Sequence, residues 1–203
     1  IWGLFLDREY ERGQIMANYT QRAIIQTFQD MLKEMPFDKI TVSAIVARCD
    51  ISSNTFYYHY HDIYDLLDTW LHIREIKYFE EKDLNLYWKD ALKMIFHDVQ
   101  DNPDIVNHIF NSISRDRIEK YVFDTLDVIA FHLVQKKDVD KVLSEDNQHM
   151  IASACCYMLL GFLIKFIWNG MKDDVDESIE ELNEIFEGTI EHIINKEKKK
   201  IDK

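Results

Sequence analysis

Glycine and proline, the two residues that most readily bend or interrupt a helix, are scarce in this sequence. Only 5 Gly and 2 Pro occur among the 203 residues. Architectures rich in β-strands and tight turns need more of both, so the scarcity favours long helices joined by short loops. Hydrophobic residues also recur at helical spacing along most of the chain. We therefore predict an all-α protein.

Charge and hydropathy limit the classes of function open to the chain. Charged residues make up 30% of it, and the most apolar stretch, Ile151–Ile164, is shorter than the roughly 20 residues of a bilayer span. We interpret this stretch as a buried core or interface helix and expect no membrane partner. The net charge of −13, taken alone, argues against nucleic-acid binding, because phosphate contacts need Lys and Arg.

The N-terminus and the cysteines indicate a cellular location. Residues 1–15 carry three acidic side chains and no small-residue cleavage site, so we expect no secretory signal there. Met16 looks like a natural start, and we interpret residues 1–16 as an N-terminal extension, either native or left by cloning. The adjacent Cys155 and Cys156 would point about 100° apart on a helix and not bridge, which indicates reduced thiols in a core. We expect a cytoplasmic protein.

Residues 20–72 have the helix-capping and helix-ending residues of a helix-turn-helix unit. An amphipathic helix ends before Pro36, and Thr41 is placed to cap a short helix behind it. Two short helices joined by a turn of three residues define this motif. The pattern predicts, in order, helices over 20–35 and 42–48, a turn over 49–51, a short helix capped by Ser52 or Ser53 that runs to about His59 or Tyr60, and a long helix capped by Asp62.

Behind this unit the hydrophobic periodicity remains helical. Gly170 is placed to end one of the helices, and we expect the basic residues 196–200 to form a frayed tail. The predicted helices cover 86–99, 117–134, 149–169 and 177–194, with a further helix beginning at Pro103 and a polar connector over 135–146.

Two short motifs and the segment after them resemble the signature of the TetR family of transcriptional regulators. They are Ile40–Val46 and Ile51–Tyr60, followed by Asp62–Leu67 at the start of the family's fourth helix. The resemblance implies an N-terminal three-helix helix-turn-helix head over 17–65. It also implies a C-terminal helical bundle for ligand sensing and dimerisation over 66–203.

The same resemblance implies a function. Proteins of this type are ligand-responsive DNA-binding transcriptional regulators, most often repressors, that bind a palindromic operator in double-stranded DNA as dimers. The expected protein is not an enzyme, and it needs no metal and no cofactor beyond an unknown small-molecule effector.

The candidate DNA-binding residues surround the second short helix. Short polar side chains at the start of a recognition helix reach base edges and phosphates, and tyrosine and histidine can donate hydrogen bonds to phosphate oxygens. Phe56 and Tyr60, at i and i+4, are expected to anchor this helix in the core. Simple N-capping and packing in a three-helix core are the alternative roles for the polar and aromatic candidates. The candidates are Thr41, Ser43, Ser52, Ser53, Asn54, Thr55, Tyr57, Tyr58, His59 and His61.

Three positions depart from the family pattern. Asp50 stands where the turn usually has Gly, Asn54 where a small residue is usual, and Ile63 where a Lys usually contacts phosphate. Between residues 17 and 70 four basic residues face seven acidic ones, whereas a DNA-binding head is usually basic.

Three outcomes of this acidity are open. Binding can rest on helix dipoles, hydroxyls and histidines, with modest affinity and a steep dependence on salt and pH. The basic N-terminal extension of the family can have been lost. Alternatively, the protein is a TetR-like co-regulator that acts through protein contacts with weak or no DNA binding.

The second half of the chain is expected to hold the dimer contacts and the effector. The resemblance implies a homodimer through residues 149–169 and 177–194, whose apolar content would otherwise leave a large exposed patch. Ordinary core packing in a monomer is the alternative. We expect a small apolar or aromatic effector, although each aromatic residue there is more commonly a core residue than a ligand contact. These aromatics are Tyr78, Tyr87, Trp88, Phe96, Phe110, Tyr121 and Phe131.

A remote alternative comes from a class of enzymes. HD-type metal phosphohydrolases hold metal ions with a His, a later His-Asp pair and a distant Asp. This chain has His59, His61-Asp62 and His97-Asp98. Such pairs arise by chance where both residues are frequent, and the first two histidines already belong to the motif above.

Overall fold

The structure, a computed structural model, describes residues 19–80 and 88–201, apart from the side chains of residues 75–80, 128 and 201. These residues form nine α-helices and the short 3-10 helix Phe37–Lys39, and they contain no strand. The prediction of an all-α protein is confirmed. The α-helices are α1 (Tyr19–Glu34), α2 (Val42–Cys49), α3 (Ser53–His59), α4 (Ile63–Glu80), α5 (Trp88–Asp101), α6 (Pro103–Phe110), α7 (Arg115–Lys137), α8 (Glu145–Trp168) and α9 (Val175–Ile201).

The chain divides into two compact units. The first combines Ile1–Glu81 with Asp104–Ile113, and the second combines Lys82–Pro103 with Ser114–Lys203. Among the described helices, α1 to α4 and α6 therefore belong to the first unit, which we call the head. The helices α5, α7, α8 and α9 belong to the second. These units cut across the predicted functional boundaries 17–65 and 66–203, and the predicted extension 1–16 lies outside the described residues.

Aromatic and aliphatic side chains hold the head together. The fully buried ring of Phe28 lies 6.2 Å from Phe37 and 6.3 Å from Trp70, centroid to centroid, in edge-to-face arrangement. Such pairs add about 0.5–1.5 kcal/mol to the burial of the rings themselves. Ile105 of α6 is 2% exposed and belongs to the same core. The head is therefore built from α6 as well as from the four N-terminal helices.

The helix α8 supplies much of the core of the second unit. Its Phe162 and Phe166 rings lie 5.2 and 5.5 Å from the ring of Phe96 on α5. Burial raises the pKa of the Cys155 thiol to about 11 and that of the Cys156 thiol to about 12. Both thiols are therefore protonated and unreactive at neutral pH, in agreement with the interpretation that they pack as small core residues.

A buried carboxylate closes the connection between α7 and α8. Asp138 is 2% exposed, and its two oxygens accept hydrogen bonds from the backbone N–H of Val142 at 2.8 Å and of Leu143 at 3.0 Å. The side-chain amide of Gln148 donates a third at 3.2 Å. Three donors compensate for the loss of water around the charge. These hydrogen bonds hold the backbone of the connector in one conformation.

The ends of the last two helices differ in how well the sequence predicted them. The helix α8 ends at Trp168, and Gly170 beyond it has a φ of +74°, as the sequence predicted. The prediction of a frayed tail over 196–200 is wrong, because α9 continues as a helix to Ile201. Lys198 donates to the Asp140 carboxylate at 2.6 Å, and lysines at a helix C-terminus interact favourably with its dipole.

One helix in the described part of the chain, α8, is long and apolar enough to cross a bilayer by length and composition alone. Buried core helices of water-soluble proteins have the same length and composition. A single helix of this kind is weak evidence for a membrane span, and 44% of its most apolar segment is buried against the rest of the chain.

Candidate nucleic-acid interface

The helices α2 and α3 and the turn between them form the predicted helix-turn-helix. Thr41 Oγ1 accepts a hydrogen bond from Ala44 N–H at 3.2 Å and caps α2, as predicted. Ser52 Oγ accepts one from Thr55 N–H at 3.1 Å and caps α3. Asp50 in the turn has a φ of +53°, a left-handed conformation that Asp tolerates better than most residues other than Gly. The departure from Gly at this position therefore leaves the turn intact.

The inner face of α3 is anchored by two aromatic rings. Phe56 is fully buried and Tyr60 is 3% exposed, and their ring centroids lie 5.6 Å apart. Their predicted role as core anchors is confirmed. The Tyr60 hydroxyl has no hydrogen-bond partner in the described part of the chain. Burial, and then the nearby Asp65 carboxylate, raise its pKa far above the ordinary value.

The opposite face of α3 points to solvent. Asn54 and Tyr58 each lie two residues from Phe56, which places them about 160° around the helix from it. Tyr58 is 84% exposed and Tyr57 is 56% exposed, and Ser53 and Asn54 are exposed as well. This surface, the outward face of α3, carries two phenols, an amide and a hydroxyl, none of which is charged.

The ten candidate DNA-binding residues all lie on or beside α2 and α3. Thr55 and His59 are half-buried, and the Thr55 hydroxyl lies 2.9 Å from that of Ser52. The His59 ring lies 5.0 Å from the ring of Tyr58, centroid to centroid. The exposed candidates are Thr41, Ser43, Ser52, Ser53, Asn54, Tyr57, Tyr58 and His61.

Three of the four basic residues between residues 17 and 70 contact carboxylates. Arg48 donates two hydrogen bonds to the Glu34 carboxylate, at 2.5 and 2.8 Å. This pair lowers the pKa of the Glu34 carboxyl and raises that of Arg48. Of the four basic residues counted between 17 and 70, Arg22 is exposed and has no ion pair with another described residue. The remaining two contact carboxylates, Lys33 with Asp30 at 3.7 Å and Lys39 with Asp38 at 3.2 Å.

The N-terminus of α4 is occupied by carboxylates. Asp62 Oδ1 accepts hydrogen bonds from the backbone N–H groups of Tyr64 at 2.7 Å and Asp65 at 2.9 Å, so Asp62 caps α4 as predicted. Asp65 in turn accepts one from His61 N–H at 2.8 Å. Ile63, which replaces the phosphate-binding Lys of the family pattern, is half-buried. Two carboxylates at this helix end repel a phosphate, so they disfavour phosphate binding at this end of α4.

The helices α8 and α9 each present apolar or small residues to solvent. A Cβ added to Gly161 on α8 or Gly188 on α9 would meet no other described atom within 4 Å. A glycine inside a helix costs about 1 kcal/mol relative to alanine, and packing within the described chain does not require it here. The other apolar or small residues exposed on these two helices, which together with the two glycines we call the α8–α9 face, are Met150, Ala154, Tyr157, Met158 and Trp168 on α8, and Ile185 and Thr189 on α9.

Comparison with known proteins decides the family. Residues 87–188, half of the chain, match a family model, TetR_C_8, described as a transcriptional regulator C-terminal region. The chain belongs to the TetR family of transcriptional regulators. It is also similar to a solved structure named dihydroxyacetone kinase operon activator DhaS, with a TM-score of 0.67 and 16% identity over 85% of this chain and 97% of that chain. At this identity the likeness shows a shared fold alone. No curated protein matches the chain in sequence.

The aromatic residues proposed from the sequence for an effector site of this TetR-family protein do not form one cluster. Tyr87 and the side chain of Tyr78 lie outside the described part, and Phe110 belongs to the head. Trp88 contacts Phe186 of α9 at 5.6 Å. The other three have separate surroundings in the second unit: Phe96 contacts Phe162 and Phe166, Phe131 stacks on His149 at 4.3 Å, and Tyr121 is half-buried on α7.

The histidines of the phosphohydrolase alternative have other neighbours. His97 Nε2 lies 3.3 Å from the Asp176 carboxylate in the second unit, whereas His59 lies against tyrosine rings in the head. Within the described part of the chain, no group of three or more His, Cys, Asp or Glu side chains is placed to hold a metal ion.

Two polar features of this TetR-family protein escaped the sequence reasoning. The amide oxygen of Asn183 on α9 is buried without a hydrogen-bond partner among the described residues. In the head, the His108 Nδ1–H donates to the Leu32 carbonyl oxygen at 2.7 Å and so ties α6 to α1. Both features depend on contacts between distant helices, and no local spacing indicates them.

Proposed function

We propose that this TetR-family protein is a ligand-responsive regulator that acts in the cytoplasm and binds a palindromic operator as a homodimer. The outward face of α3 is the observation that carries the proposal. Its four polar side chains are exposed on the second helix of a helix-turn-helix, and two of them, Asn54 and Tyr58, lie opposite the buried Phe56. A recognition helix enters the major groove in this orientation.

The chemistry of this face suits a duplex. An amide can both donate to and accept from base edges, and phenol hydroxyls donate to phosphate oxygens without a formal charge. The exposed Thr41 and Ser43 hydroxyls and His61 extend the polar surface beside the α3 face. None of the ten candidate residues needs a metal or cofactor for this role, and we propose no enzymatic activity.

The ion pairs of the head change one expectation about affinity. Salt weakens DNA binding in proportion to the number of phosphates that protein cations neutralise. Arg48, Lys33 and Lys39 already contact carboxylates. Few cations of the described head therefore remain to neutralise phosphates and displace the counterions of the DNA. We therefore expect the DNA affinity to depend only weakly on salt concentration, and not steeply as the sequence suggested.

The α8–α9 face is the proposed dimer surface. Large exposed apolar surfaces commonly mark contact sites. A two-fold dimer covers the same face on both copies. Trp168 is 72% exposed and Tyr157 67% exposed, and such aromatic side chains commonly anchor interfaces. Two heads held about 34–36 Å apart would reach successive major grooves.

The proposed effector is a small apolar or aromatic molecule bound in the second unit. Asn183 supports a location near α9, since its buried amide oxygen lacks a partner there and a ligand donor would satisfy it. Asn183 lies one turn from Phe186, whose ring contacts Trp88. Effector binding would change the separation of the two recognition helices and so the operator affinity. We propose repression, the commonest mode of the family, although the name of DhaS describes that similar protein as an activator.

A direct test measures DNA binding by the full chain. Fluorescence anisotropy with duplexes from upstream of the protein's own gene should show saturable binding at low salt. Tyr58→Ala should weaken it at least about 10-fold, because a hydrogen bond to a charged phosphate is lost. Val139→Ala, at an 80% exposed position of the second unit, is the matched control and should bind as the wild type does. Equal affinities for both variants would exclude a contribution of Tyr58 to DNA binding, and no saturable binding by the wild type would contradict the proposal.

The acidic head supports a second candidate, a co-regulator that works through protein contacts. Asp62 and Asp65 at the start of α4 disfavour a phosphate but suit a basic protein partner. Failure to bind any upstream duplex at the lowest salt, with a folded and dimeric protein, would favour this candidate over the operator-binding regulator.

A further inference from the structure

Asn54 occupies the centre of the outward face of α3. It is the second residue of the helix and is exposed. Its amide makes no hydrogen bond with another described residue, so both its donor and its acceptor are available. A residue that only stabilised the helix start would satisfy a backbone group, and Ser52 already does so.

The position of Asn54 on the helix decides what it can reach. Tyr58 stands one turn further along the same side, and the buried Phe56 lies on the opposite side. Side chains opposite the anchored face of a recognition helix project furthest into the groove. The first turn of such a helix contacts base edges more than phosphates, and Asn54 lies in that turn.

The amide group selects one base among four. An Asn side chain can donate to adenine N7 while accepting from adenine N6, whereas guanine presents two acceptors that match Arg or Lys. The stretch from Cys49 to His61, which spans the turn and α3, contains no Arg and no Lys. The α3 face therefore has a reader for adenine and lacks the usual reader for guanine.

We propose that Asn54 reads an adenine in the major groove, so that each operator half-site requires one A·T pair at the position facing the first turn of α3. This inference rests on the proposed function, because it presumes that α3 enters DNA. Asn54 stands where the family usually has a small residue, so the proposed base preference comes from a departure of this chain from the family pattern.

The experiment selects binding sites from random duplexes with the wild-type protein and with Asn54→Ala. The wild type should enrich one adenine per half-site, and the variant should lose that preference while keeping the others. In the enriched duplex, replacing this adenine by another base should weaken wild-type binding about 5- to 100-fold. The same replacement should leave the affinity of Asn54→Ala almost unchanged.

A second measurement removes one acceptor atom from the DNA. Placing 7-deazaadenine at the selected position removes the N7 acceptor alone and should weaken wild-type binding several-fold without affecting Asn54→Ala. Val139→Ala, at an 80% exposed position of the second unit, is the control and should retain the adenine preference.

The outcomes separate this inference from the function on which it rests. Sequence-specific binding that is indifferent to Asn54→Ala and to 7-deazaadenine would overturn the assignment while leaving the regulator intact. Enrichment of a guanine at the position that Asn54→Ala relaxes would also overturn it. Absence of any enriched duplex for the wild type would overturn the proposed function itself, and this assignment with it.

Discussion

The outward face of α3 and the α8–α9 face are both exposed, yet their chemistry is opposite. The α3 face carries two phenols, an amide and a hydroxyl, and its apolar anchors are turned inward. The α8–α9 face carries methionine, isoleucine and glycine next to two exposed aromatic rings, Tyr157 and Trp168. Polar groups suit a hydrated partner such as a DNA groove, whereas apolar groups gain by excluding water. The difference supports the proposal that the two surfaces bind two kinds of partner.

A charge placed on the α8–α9 face should have the largest effect. Met158 is 38% exposed, so the carboxylate of Met158→Glu can reach solvent in an isolated chain, whereas a dimer would bury it unpaired. We expect the dimer dissociation constant to rise about 100-fold or more, as measured by sedimentation velocity over a range of concentrations. Val139→Glu, at a more exposed position, should leave the dimer unchanged. A Met158→Glu protein that dimerised like the wild type would place the interface elsewhere.

The glycines of the same face test how closely the two copies approach. Gly161→Ala and Gly188→Ala should each stabilise a monomeric chain by about 0.5–1 kcal/mol, because the added Cβ meets open space. If helices of a second copy cross at these points, the same changes should weaken the dimer. Urea unfolding in the Met158→Glu background gives the first quantity, and sedimentation of each single variant gives the second. Alanine variants that dimerise more tightly would contradict close crossing.

A change on the buried side of α3 tests the stability of the protein and should not alter DNA affinity. Tyr60→Phe removes a hydroxyl that has no partner among the described residues, so the free energy of unfolding should stay the same or rise by up to about 1 kcal/mol. DNA affinity should not change, since the group faces the core. Tyr57→Phe, on the exposed side, should leave stability unchanged. A clear loss of stability in Tyr60→Phe would mean that the phenol is satisfied after all.

Much of the head was predictable from the sequence because its signals are local. Thr41 and Asp62 were predicted as caps, and the i, i+4 pair Phe56 and Tyr60 as core anchors, each from spacing within one turn. The Arg48–Glu34 pair was not predictable, because its partners are 14 residues apart on different helices. The same holds for α6, since the pattern that marks it as amphipathic does not say which unit it joins.

The second half of the chain was less predictable for a related reason. The polar connector 135–146 and the basic stretch 196–200 were assigned from composition, but Lys198 forms an ion pair with Asp140 and α9 extends through the lysines. The individual functions of the candidate site residues remain predictions, because burial and exposure fix where a side chain points and not what it binds.

The ion pair beneath α2 should give the smallest effect, and it varies with pH. Because Arg48 lowers the pKa of Glu34 below its ordinary value of 4.5, the pair contributes stability above that value and loses it as the pH falls through the folded pKa. Glu34→Gln should therefore be less stable than the wild type at pH 7, with the gap closing as the pH falls below 4.5. Urea unfolding of both proteins across this range measures the gap. A gap that widened on acidification would contradict the assigned pair.

The central claim is that the α3 face meets double-stranded DNA mainly through uncharged groups. The most direct measurement is the dissociation constant of the wild-type protein for its enriched duplex as a function of salt concentration. Saturable binding with a logarithmic slope no steeper than about −4, or about two neutralised phosphates per subunit, is the predicted result. A slope near −10, or no binding at the lowest salt, would contradict the claim.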